Sequence, residues 1–93
     1  MTDIGRFAEV FGDGKEPSPD VLLAIEDDLR AQMRDNPAAP VTACMVGVVQ
    51  SLRFVHAAYE RGDVEGIERN RREMQQWFQR VLEHLEKGEG NLT

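Results

Sequence analysis

The sequence predicts an all-α fold: a small helical bundle built on an antiparallel helical hairpin, with three main helices and a short N-terminal helix. Three observations predict it. Apolar residues recur at spacings of three and four along most of the chain, the period of one helix face. Prolines and glycines fall where such runs begin and end. No run competes with the strict alternation of a half-buried strand.

The first fourteen residues read as a short helix and a turn. Ile4, Phe7 and Phe11 share a face, although Gly5 weakens the helix. Gly12-Asp13-Gly14 then stops it. The second helix is expected over 19–35. Ser18 is placed to cap it, Pro19 suits the first helical position, and Asp20 lies at the positive end of the dipole. Leu22, Ile25, Leu29 and Met33 form one narrow apolar stripe. Pro37 disfavours helical geometry at Asn36 and ends the run.

The third helix is expected over 41–61. An advance of about 100° per residue gathers Val41, Met45, Val48, Leu52, Val55 and Tyr59 into one sector. Ala43, Gly47, Ser51, Phe54 and Ala58 make a second, small-residue sector. A helix apolar on two sides belongs in the interior, covered on both. Gly62 can take the left-handed conformation that closes a helix, and Asp63 can cap the next one. So short a link makes the two helices antiparallel neighbours. The last helix, 63–87, buries Ile67, Met74, Phe78, Val81 and Leu85, with Trp77 and Leu82 at the edges. Its outer face carries Glu65/Arg69, Glu68/Arg72 and Glu83/Lys87, acid before base at i,i+4. Residues 88–93 are expected to form a mobile tail.

Ninety-three residues suit a single domain with a thin core, to which association would add burial. The net charge of -6 is concentrated early. Up to Asn36 there are nine acidic and four basic residues; beyond it there are eight and seven. This balance opposes generic binding to phosphate backbones. The lone Cys44 excludes an internal disulfide and a multi-thiolate metal site. The N-terminus lacks the apolar stretch of a signal peptide, and no run reaches the length of a membrane span. A cytoplasmic setting is the expectation, with no membrane role.

Groups that carry chemistry are sparse. His56 and Glu60 stand one helical turn apart, but the Glu-x-x-His pattern of bundle metal sites is missing. His56 is expected to flank the core and bond to Glu60 or water. Cys44 reads as a core residue. No catalytic residue, cofactor, metal or small-molecule substrate is indicated, and an enzyme is not expected. Arg69, Arg71, Arg72 and Arg80 make the last helix locally basic, interleaved with Glu65, Glu68 and Glu73. Arg71 is expected to pair with a carboxylate among Glu26, Asp27 and Asp28.

The small-residue strip of the third helix is the most informative feature. Glycine inside a helix costs about 1 kcal/mol relative to alanine, so Gly47 marks a close approach. Either the first or second helix packs there, or a second copy of the chain does. The leading expectation is a non-enzymatic protein-interaction module, an accessory or regulatory subunit that self-associates as a homodimer or meets a protein partner. Its interface candidates are Ala43, Gly47, Ser51, Phe54, Ala58 and Trp77. The alternative is an acidic inhibitor or immunity-type protein that blocks a basic nucleic-acid-binding surface with Asp20, Glu26, Asp27, Asp28 and Asp35. A further alternative is nucleic-acid binding through the arginines of the last helix.

Overall fold

A computed structural model of the chain describes residues 4–12, 17–37 and 39–87. The expected tail, 88–93, and most of the turn after Gly12 lie outside the described residues. Among the described residues there are four helices and no strand: α1 (Ile4–Gly12), α2 (Pro19–Asp35), α3 (Pro40–Arg61) and α4 (Val64–Glu86).

Local chemistry accounts for the boundaries. Pro19 opens α2, and the Ser18 hydroxyl accepts from the Val21 amide at 3.4 Å. Pro40 opens α3 one residue earlier than the apolar pattern suggests. Its fixed backbone angle suits a first turn, where no amide is needed. At the far end of α3, Gly62 has φ +69°, the left-handed region. The Gly62 amide donates to Tyr59 at 3.1 Å and the Asp63 amide to Ala58 at 2.9 Å, which satisfies the last carbonyls of the helix. Asp63 then caps α4 by accepting from the Gly66 amide at 3.0 Å.

α3 is the central element. α4 packs along its whole length as the other arm of the hairpin, and α2 packs on a different flank. α1 rests on both α3 and α4. Ile4, Phe7, Leu22, Leu29, Met45, Val48, Val49, Leu52 and Val81 form the core where these elements meet. Phe7 and Phe11 pack with ring centroids 4.3 Å apart and their planes tilted by 32°. By length and composition α3 is apolar enough to cross a membrane, but 61% of that stretch is buried against the other helices. Its hydrophobicity is that of an interior helix.

The hairpin has a symmetric register. Gly47 and Trp77 lie equally far from Gly62, and so do Ala58 and Gly66. The first pair is in close approach and the second is in ordinary contact range. A Cβ on Gly47 would stand 2.5 Å from the Trp77 ring, and one on Gly66 would stand 3.4 Å from Ala58 Cβ. A Cβ on Gly66 would first meet the capping Asp63 carboxylate, at 2.5 Å, so the close approach between the two arms is the one at Gly47.

Gly62→Ala places a side chain in the left-handed region, although space there is open. We expect a loss of about 1–2 kcal/mol, read as a lower urea midpoint with an unchanged slope.

Candidate interaction surface

The small-residue strip of α3 is divided by its neighbours. Ser51 and Ala58 are buried, while Ala43 and Phe54 are exposed. Gly47 lies under the half-buried indole of Trp77, which reaches over from α4. The group that comes close at Gly47 is thus a side chain of the same molecule. α4, the other hairpin arm, fills the place expected for α1, α2 or a second copy. Arg80, one turn further along α4, lays its guanidinium 4.8 Å from the centre of the Trp77 ring. The indole is held between a glycine backbone and a cation.

What remains open on α3 is the flank between α2 and α4. Ala43, Val46, Gln50, Phe54 and Ala57 recur there at spacings of three and four. Phe54 is 57% exposed. Val46, Gln50 and Ala57 are half-buried, so the patch is mostly apolar, with one amide in its middle.

The acidic candidates separate in the same way. Asp20, Asp27 and Asp35 are exposed on α2. Asp28 is half-buried and accepts from the Gln32 side chain at 3.1 Å. Glu26 does not belong to that surface. It is 5% exposed and faces α3. Arg53 Nη1 donates to both of its oxygens at 2.9 Å, and Arg30 Nε lies 3.3 Å from Oε2. Two cations and a bifurcated hydrogen bond offset the desolvation of the carboxylate. This ion pair crosses from α2 to α3 at the border of the open flank.

Other expected partners also change. Of the carboxylates expected to hold Arg71, Glu26 is taken by Arg53 and Arg30. Arg71 donates to the Tyr59 hydroxyl at 2.9 Å, with its guanidinium 5.7 Å from that ring's centre. His56 donates through Nε2 to the Pro17 carbonyl at 3.1 Å and so ties the start of α2 to α3. Cys44 is buried, and burial pushes its thiol above the usual range, with Arg80 opposing the shift weakly. The thiol is neutral at pH 7. Among the described residues no cluster of histidine, cysteine or acidic side chains is placed to hold a metal ion.

One signal for Glu26 was present in the sequence. It stands four residues after Leu22 and three before Leu29, on the buried stripe itself. Its partner, Arg53, lies on another helix, where no local pattern points to it.

Comparison of the chain with family models, curated proteins and solved structures returned no match.

Arg53→Ala leaves the buried Glu26 carboxylate with Arg30 alone. We expect a loss of about 1–3 kcal/mol by urea unfolding. Glu26→Gln, which removes the charge but keeps an acceptor, is expected to cost less.

Proposed function

We propose that the chain is a non-enzymatic protein-interaction module, an accessory or regulatory subunit that meets its partner through the open flank of α3. The observation that carries this reading is Phe54. A large aromatic side chain stands mostly in water, within a run of mostly small and apolar residues on the central helix of the fold. Aromatic residues are enriched at protein interfaces because one side chain contributes a large apolar area at low entropic cost.

The surroundings support the same reading. The Glu26–Arg53 pair borders the flank on the α2 side, and the Trp77–Arg80 pair lies beside it on the α4 side. A polar rim around an apolar centre is the usual anatomy of a contact surface. The groups that most often carry catalysis serve the fold instead: Cys44 in the core, His56 on Pro17, Glu26 in an ion pair. A buried reduced thiol suits a cytoplasmic setting. Self-association through the strip rests on Ala43 and Phe54 alone, because Trp77 must leave Gly47 before another helix can enter there.

Phe54→Asp tests the proposal. The side chain is exposed, so the thermal midpoint should stay within about 2–4 °C of the parent, a shift that corresponds to roughly 0.5 kcal/mol in a domain of this size. Affinity capture from the native lysate, with a differently tagged copy of the chain added, should recover a protein on the parent that is lost on the variant. Identical captured sets on parent and variant would refute the α3 surface.

A further inference from the structure

The open flank of α3 is one helix wide. The buried positions of α3, from Thr42 to Ala58, take up most of its circumference. Ala43, Val46, Gln50, Phe54 and Ala57 fall with Arg53 in the remaining arc of about 100°, at about 100° per residue. That is the width over which a helix meets one neighbour. α2 bounds the arc on one side, where Arg53 reaches Glu26. α4 bounds it on the other, where Trp77 covers Gly47.

These borders are cationic at one end, in a chain of net charge -6. On α2, Glu26, Arg30 and Arg34 follow at steps of four along the edge that meets Arg53. On α4, Arg80 lies over Trp77 on the edge beside the flank. Arg30, Arg34 and Arg80 are exposed. Glu26 is buried, and its charge is taken up by Arg53 and Arg30. By register with Arg53 and Trp77, the exposed acids of these borders, Asp27, Glu60 and Glu73, lie in the half toward the hairpin turn. Asp35 and Glu83 project from the outward sides of their helices. From Gln50 to Ala43, therefore, the described residues flank the apolar floor with three arginines and no carboxylate.

We propose that the flank seats an acidic amphipathic helix of a partner protein, its apolar stripe on Val46, Phe54 and Ala57 and its carboxylates beside Arg30, Arg34 and Arg80. The inference rests on the α3 reading above and names the chemistry of the partner. A helix that lays its apolar face into a groove is a common mode of recognition. Guanidinium groups match carboxylates in geometry as well as charge. Such complementarity selects partners and speeds encounter more than it adds affinity. A nucleic acid would need cations along its whole track, whereas this floor is apolar and the chain as a whole is acidic.

Two labelled helical peptides of about four turns test it by fluorescence anisotropy with the full chain. Both carry one leucine stripe, flanked by glutamates in one and by lysines in the other. The emission of Trp77, the only tryptophan, gives a second readout. At low salt the acidic peptide should bind at least about tenfold more tightly, and the preference should shrink as salt rises. Arg34→Glu with Arg80→Glu should reverse the preference. Phe54→Ala, which changes no charge, should weaken the acidic peptide by about tenfold. Thermal melts check folding; should a variant not fold, the two peptides on the parent decide. Equal binding of both peptides, weakened alike by Phe54→Ala, overturns the charge preference and keeps the α3 surface. Acidic-peptide binding that ignores Phe54→Ala overturns both. No binding of the acidic peptide at low salt overturns the proposal. So does tighter binding of a single-stranded oligonucleotide, which would assign the arginines to phosphates. A dimer of the parent that Phe54→Ala dissociates and the acidic peptide does not also overturns it, and gives the flank to a second copy.

Discussion

The seat of Trp77 on Gly47 is the contact on which the rest of the structure depends. The chain has a single tryptophan, and its ring occupies the space that any Cβ at position 47 would need. That contact lies far from the turn, so it fixes the register of the long arms where Gly62 cannot. Near the turn, Gly66 leaves room for the Asp63 carboxylate that caps α4. With register set, Val48, Leu52 and Val81 meet in one core, and α1 finds a surface on both arms.

This constraint decides which faces are left for function. α4 takes the small-residue side of α3 down to Ala43 and Phe54, and α2 takes another through Leu22, Leu29 and the Glu26–Arg53 pair. The flank between them stays open because α1 packs elsewhere. α4 buries only its inner side, so its outer charges remain in water. The flank around Phe54 is thus a face that the bundle does not use on itself.

Much of the fold was legible because helix ends are local. Pro19, Gly62 and Asp63 act through their own backbone angles and nearest amides, and the structure uses them as the sequence suggests. Gly47 was legible as a close approach, since an interior glycine has a cost that something must offset. What approaches it depends on hairpin register, which is a tertiary quantity. Glu26 failed for the same reason. A carboxylate reads as surface until a cation from another helix is brought to it. Arg71 was expected to pair with a carboxylate among Glu26, Asp27 and Asp28; Glu26 is held by Arg53 and Arg30, and Arg71 meets the Tyr59 hydroxyl on α3.

The central claim is that Gly47 exists to seat Trp77 of its own chain. Urea unfolding of a double-mutant cycle tests it most directly. Gly47→Ala alone should destabilise, since overpacking at a filled site costs about 1–3 kcal/mol and outweighs the gain in helix propensity. In a Trp77→Ala background the same change should stabilise by up to about 1 kcal/mol. The sign reversal should be independent of protein concentration. An equal cost in both backgrounds, or a cost that grows with concentration, would contradict the account and return Gly47 to a contact with another molecule.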